Sequence, residues 1–192
     1  MNAERFEAFS SPNYPPLAIS GVHLNIDKSL LWKWQVEDPA FAKAEQGKSP
    51  VTDANRMRYR PKLVDQVVVL KLFPGITEEV VRAICQIKSL KGIVLETYGS
   101  GNAPTQKWFV NILKEALENG IRMVNVTQCI GGAVAMGKYE TSIQLQKIGL
   151  VSGNDITTEA ALAKMMYLLE HTDSPSSFKT YFETSLRGEI TG

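Results

Sequence analysis

Cys129 is the residue most open to a chemical reading, because it follows the apolar run 121–126 and a thiol at the end of a strand is where a nucleophile can be presented. The string Thr127-Gln128-Cys129-Ile130-Gly131 lacks the first glycine of a nucleophile elbow, and neither His23 nor His171 is placed in the sequence so as to mark it as the base. A buried structural thiol or a pocket-lining residue is the plainer reading of Cys129. Gly99-Ser100-Gly101-Asn102-Ala103-Pro104 begins like a dinucleotide fingerprint and fails where Pro104 replaces the third glycine, which leaves a tight strand-to-helix turn. Gly132 to Lys138 has the glycine and lysine spacing of a phosphate-binding loop after a strand. Tyr139 stands where the Mg²⁺-binding Ser or Thr belongs, so a flexible loop is the better reading. Glu78 and Glu79 follow Thr77 and suit the positive end of a helix dipole better than acid catalysis. Met165, Met166, Trp32, Trp34 and Trp108 have packing as their default role.

The elements that must position these residues alternate in kind. Val67 to Leu70 is a short β-branched run, as in a strand buried on both faces. Thr77 is an N-cap, and Val80, Val81, Ile84 and Ile87 then share a helical face. Gly92 to Leu95 is a second strand, and Pro104 suits the first turn of the helix carrying Phe109, Ile112, Leu113, Ala116 and Leu117. Gly120 is a left-handed stop before the strand 121–126. A shorter helix near 141–148 precedes a weak fourth strand at 149–153, and Thr157 and Ser174-Pro175 open two further helices. The pattern predicts an α/β fold: a small parallel sheet of about four strands with helices on both faces. Ligands of such sheets meet the loops at the carboxyl ends of the strands, here Pro74-Gly75, Tyr98 to Asn102, and Thr127 to Gly132. Before this domain the sequence predicts an extended N-terminal arm, with residues 17–26 as one short strand and 37–60 as a polar connector.

The chain has 192 residues, enough to bury a core in one domain with an appendage. Lys plus Arg total 21 against 20 for Asp plus Glu, so charge supplies no reason to expect nucleic acid or an anionic membrane surface. No apolar run approaches the ~20 residues that span a bilayer. The opening Met1-Asn2-Ala3-Glu4-Arg5 shows no secretory pattern. Two separated cysteines and two histidines predict neither a metal site nor a disulfide framework, which suits a reducing, cytoplasmic setting. The residues by themselves support a small α/β domain with a polar loop edge.

Several strings together resemble the bacterial type I (cytoplasmic) L-asparaginases. They are Ala8-Phe9-Ser10-Ser11-Pro12-Asn13-Tyr14-Pro15-Pro16-Leu17, Tyr98 to Pro104, Val124-Asn125-Val126-Thr127-Gln128-Cys129, and Leu186-Arg187-Gly188-Glu189, in the family's order. The resemblance implies hydrolysis of L-asparagine to L-aspartate and ammonia by a threonine nucleophile, without metal or organic cofactor. The family's two catalytic threonines stand in a Thr-Gly-Gly-Thr-Ile-like and a His-Gly-Thr-Asp-Thr-like string of a larger N-terminal domain. Neither string occurs in this chain, which is therefore expected to hold no catalytic residue and to be inactive alone. The implied organisation is a remnant of the N-terminal domain at 1–27, an interdomain linker at 28–62 and the C-terminal α/β domain at 63–192, with Met1 an artificial start.

The family's active sites are closed across a subunit interface in a homodimer or homotetramer, and Asn102 is the matching residue that completes a neighbour's site. The local alternative is that Asn102 caps the helix after Pro104. Cooperative members also bind asparagine at an allosteric effector site, whose matching positions are Glu96, Thr127 and Cys129. Those members have arginine where this chain has Glu96, and the expectation is little or no effector binding here. Two other readings stay beside this one, a regulatory α/β domain that binds a small ligand and a cysteine hydrolase using Cys129.

Overall fold

The computed structural model describes residues 15–31, 60–137 and 140–191. The expected Trp32 and Trp34 packing, the string 8–14 and the end of the Gly132–Lys138 motif lie outside them. Two compact units divide the chain, one carrying 15–31 and 60–62 and the other 63–191.

In the first unit the single strand expected over 17–26 is instead a hairpin. β1 (Ala18–Ser20) pairs antiparallel with β2 (Leu24–Ile26). The intervening Gly21-Val22-His23 reverses the chain, with the Gly21 N–H donating to the His23 carbonyl at 3.2 Å. A three-residue loop closes the hairpin, which an alternating apolar pattern does not disclose.

The second unit is the expected α/β domain. β3 (Val67–Lys71), β4 (Gly92–Thr97), β5 (Arg122–Thr127) and β6 (Val151–Ser152) form a parallel sheet in sequence order. Between them come α1 (Glu78–Cys85), α2 (Lys107–Glu118) and α3 (Glu140–Lys147), and after them α4 (Thr158–His171) and α5 (Pro175–Glu183). Alternation along the strands divides the core in two. Leu70, Ile93, Leu95 and Met123 pack with Val81 of α1, Phe109 and Leu113 of α2 and Leu145 of α3. Val94, Val124, Val126 and Val151 pack on the other face with Ala161, Met165 and Leu168 of α4 and Phe178 and Phe182 of α5. Strands wound in one direction with a constant crossover hand put their connecting helices on one side, so α4 and α5 cover what the winding leaves bare.

Local chemistry explains the helix starts. Thr77, Thr157 and Ser174 each accept a hydrogen bond from the backbone N–H three residues on. Gly120 and Gly149 take positive φ where α2 and α3 stop, as glycine alone does without strain.

Three expectations are corrected. β3 is an edge strand rather than one buried on both faces, since strand order is set by tertiary winding; Leu70 is buried and Val69 is exposed. Pro104 does not lie in the first turn of α2, which starts at Lys107 with Gln106 in the N-cap position. Ala103 before the proline is biased to extended backbone, residues 103–106 belong to no helix or strand, and Gln106 is itself extended. On α1, Val81 is buried and Ile84 packs against the core, whereas Val80 is exposed, and so is Ile87, which lies beyond the helix end at Cys85.

Candidate functional site

The carboxyl ends of β4 and β5 stop in polar residues on the face of α1, α2 and α3. Thr97 and Asn125 are fully buried, and Thr127 nearly so. The Thr97 hydroxyl donates to Asn125 Oδ1 at 2.7 Å and lies 3.1 Å from the Val126 carbonyl. A buried amide and hydroxyl each need partners, and here they supply one another. Next to them Gln128 sends its Nε2 to two carbonyls, Leu72 at 2.6 Å and Glu96 at 2.9 Å. One side chain thereby ties the end of β5 to the ends of β3 and β4.

These groups surround the loop 98–102. Tyr98 N–H donates to the Asn102 carbonyl and Asn102 N–H to the Tyr98 carbonyl, both at 2.8 Å, so the loop closes at its neck. Such a narrow loop needs backbone that only glycine adopts freely, and Gly99 (φ 50°) and Gly101 (φ 106°) provide it. The loop is fastened from outside as well. Thr127 Oγ1 donates to the Gly99 carbonyl, and Ala135 N–H donates to the Ser100 carbonyl at 2.9 Å. Gly101 is buried, and a β-carbon there would approach Val134 Cγ1 to 2.9 Å and Asn125 Nδ2 to 3.3 Å. Asn102 itself is half-buried at the loop's exit. The N-cap position of α2 belongs to Gln106, so Asn102 does not cap that helix.

The positions expected together fall apart in a definite way. Thr127 and Cys129 meet, the Cys129 N–H donating to Thr127 Oγ1 at 3.1 Å. Glu96 is in register with Val126 and shares that residue's face of the sheet, whereas Thr97 and Thr127 share the other. The Glu96 carboxylate accepts from the Thr158 hydroxyl at 2.6 Å and lies 3.3 Å from Lys71 Nζ. It thus sits at the amino end of α4, where the helix dipole favours an anion.

Cys129 is exposed, with its backbone held by Thr127. His171 is at the carboxyl end of α4 against the Tyr167 ring, and Met166 nearby accepts from Val64 N–H ahead of β3. That end of α4 lies toward the amino edge of the sheet, whereas Cys129 follows the carboxyl end of β5. Cys85 is no better a nucleophile, since burial pushes its thiol up to about 11. Among the described residues no group of three or more His, Cys, Asp or Glu could hold a metal ion, and no helix is long and apolar enough to cross a membrane.

A cleft of about 330 Å³ opens between residues 73–76 and 98–108, lined by Phe73, Ile76, Tyr98, Pro104 and Trp108 among others. The sequence points to the loops that flank this cleft, Pro74-Gly75 and 98–102, and gives no separate role to Asn125 or Gln128. The signal for the last two was present, since polar residues alternating with valines at the end of a buried strand require partners there.

A family model described as the glutaminase/asparaginase C-terminal domain matches residues 66–182. L-asparaginase 1 of Escherichia coli K12 is 34% identical over 190 residues, which is 99% of this chain and 51% of that protein. The 60 kDa lysophospholipase of Mus musculus is 38% identical over 192 residues, which is 100% of this chain and 31% of that protein. The crystal structure of L-asparaginase I from Vibrio cholerae matches with a TM-score of 0.76 at 35% identity, covering 100% of this chain and 52% of that one. The chain spans about half the length of these bacterial relatives.

Proposed function

Because the chain belongs to the glutaminase/asparaginase C-terminal domain family, we propose that it serves as the C-terminal domain of an enzyme that hydrolyses L-asparagine to L-aspartate and ammonia. The threonine nucleophile comes from an N-terminal domain, to which residues 1–27 belong, and residues 28–62 link it to the domain at 63–192. This chain contributes Asn102, which completes the site of a neighbouring subunit in a homodimer or homotetramer. A side-chain amide can donate to the carboxylate of a bound amino acid and accept from its ammonium. The observation that carries the reading is the closed loop 98–102, which holds Asn102 at the ligand edge of a parallel sheet. Two free thiols, Cys85 and Cys129, fit a reducing cytoplasm.

The effector pocket does not bind asparagine in this reading. Glu96 is committed to Lys71 and Thr158 on one face, and the Thr127 hydroxyl to Gly99 on the other. A ligand carboxylate would meet a carboxylate where cooperative relatives offer a guanidinium.

Ammonia release tests the proposal. The purified chain should release none above background from L-asparagine, and a polypeptide joining it to its N-terminal domain should. Absence of release from the joined protein overturns the proposal. Release from the chain alone, abolished by Cys129→Ser, would establish the cysteine hydrolase instead.

A further inference from the structure

We propose that Thr127 is the positioning residue of the Asn102 loop. The inference rests on the reading of Asn102 given above and extends it to the group that fixes its place.

The neck of the loop is closed by Tyr98 and Asn102, and the Gly101 N–H also donates to the Tyr98 carbonyl, at 3.1 Å. These bonds set the loop's internal shape and leave its tilt against the sheet to be fixed from outside. Three contacts do so: the Thr127 hydroxyl on Gly99, the Ala135 N–H on Ser100, and the packing of Gly101 against Val134 and Asn125. The Ala135 bond and the Val134 side of the third contact come from a loop, in which Val134 is anchored by its N–H to the Asn154 carbonyl at 2.8 Å, and the Asn125 side comes from β5. Thr127 ends a strand. It is paired with Thr97 in the sheet register, is 9% exposed, and carries a β-branched side chain with few rotamers. Its single O–H is donated to Gly99, and its oxygen accepts from Cys129 N–H at 3.1 Å. One rigid hydroxyl therefore sets the 98–102 loop and the start of the 128–137 loop against the same strand end. A shift of about 1 Å in a substrate-positioning group lowers rates by about 100-fold, so the height of this loop matters to any ligand Asn102 holds.

The test uses the joined polypeptide with Thr127→Val, which keeps the shape and removes the hydroxyl, and Thr127→Ser, which keeps the hydroxyl. Two readouts are taken: kcat and KM for L-asparagine, and amide hydrogen exchange at Gly101 and Asn102. Thr127→Val should lower kcat/KM by about 100-fold, chiefly through KM, and speed exchange at both amides. Thr127→Ser should restore both to near wild type. In an Asn102→Ala background, Thr127→Val should cost no further activity. Wild-type kcat/KM and exchange in Thr127→Val overturn the proposal. Equal damage from Thr127→Ser does too, because packing of the methyl group would then be the cause. If the joined wild type does not hydrolyse asparagine, the functional reading fails on its own and exchange decides the positioning role. If Thr127→Val does not fold, Thr127→Cys takes its place, and the weaker thiol donor should rank below Ser in both readouts.

Discussion

On the sheet face covered by α1, α2 and α3, the apolar core stops at Leu95 and Met123, and the strands end in Thr97, Asn125 and Thr127. On the face covered by α4 and α5, Val94, Val124 and Val126 carry the apolar core outward until half-buried Glu96. The deeply buried charge on that side lies away from the strands. Lys164 of α4 donates to the Thr184 carbonyl at 2.6 Å, meets Glu189 at 2.5 Å and stands 5.2 Å from the Phe182 ring centre. Glu189 also accepts from Leu186 N–H at 3.0 Å and from Arg187 N–H. Polar burial at the strand ends holds the loops 98–102 and 128–137 against the sheet. Polar burial behind α4 holds the segment after α5 onto the core, with Ile190 buried beneath it. The same kind of group therefore serves placement on one face and cohesion on the other.

The largest way to break the comparison is at Lys164. Lys164→Ala leaves Glu189 buried against backbone donors with no cation, and loss of one partner of a buried pair costs about 3–5 kcal/mol. Glu189 retains 15% exposure, so the low end is expected in urea unfolding. A loss below about 1 kcal/mol would rank the pair with surface salt bridges. Exchange at Gly101 and Asn102 should not change in this variant.

Asn125→Ala should be milder globally and opposite in distribution. The Thr97 hydroxyl loses its main acceptor and keeps the Val126 carbonyl, so about 1–2 kcal/mol is expected. Amide exchange should quicken in the 98–102 loop and not in residues 186–190. Uniform quickening would show that the two faces are not separable in this way.

Acid sharpens the contrast with the smallest effect. Burial acts to raise the Glu189 carboxyl, and the Lys164 ammonium with the backbone N–H donors outweighs it, leaving the group below its ordinary 4.5. Burial lowers Lys164 more than Glu189 raises it, yet a carboxylate held down in this way marks a pair that is charged at neutral pH. A depressed carboxylate contributes stability that is present above pH 4.5 and is lost as pH falls through the lowered value. Proton NMR between pH 6 and pH 3 should therefore show Leu186 and Ile190 loosening first. The Thr97–Asn125 pair and the bonds of Thr127 to Gly99 and Cys129 contain no titrating side chain and should hold.

The sequence disclosed what short-range chemistry decides. Thr77, Thr157 and Ser174 were readable as caps because each satisfies an N–H three residues away. The Val67–Leu70 run was readable as a strand and not as an edge, because strand order depends on winding. Pro104 marked a boundary without saying that the helix would wait until Lys107. In the site, the glycines of 98–102 were legible as a turn. The partners of Thr127 and Gln128 lie 28 and 56 residues away, beyond any local pattern. The division of Glu96 from Thr127 was within reach, since parallel pairing of 96 with 126 and 97 with 127 puts them on opposite faces.

The order of the strands also bears on what happens when many copies of this chain are crowded together. An open sheet ends in two rows of backbone donors and acceptors that a stranger's strand can complete. On one side that row is β6, two residues long, too short to template much. On the other it is β3, where a newcomer would find exposed Val69 beside Lys71, whose ammonium Glu96 holds at 3.3 Å while its side chain stays 65% exposed. Burying that charge under a foreign strand is costly. The ion pair that occupies Glu96 thus also guards the longer of the two edges that the described residues leave on this sheet.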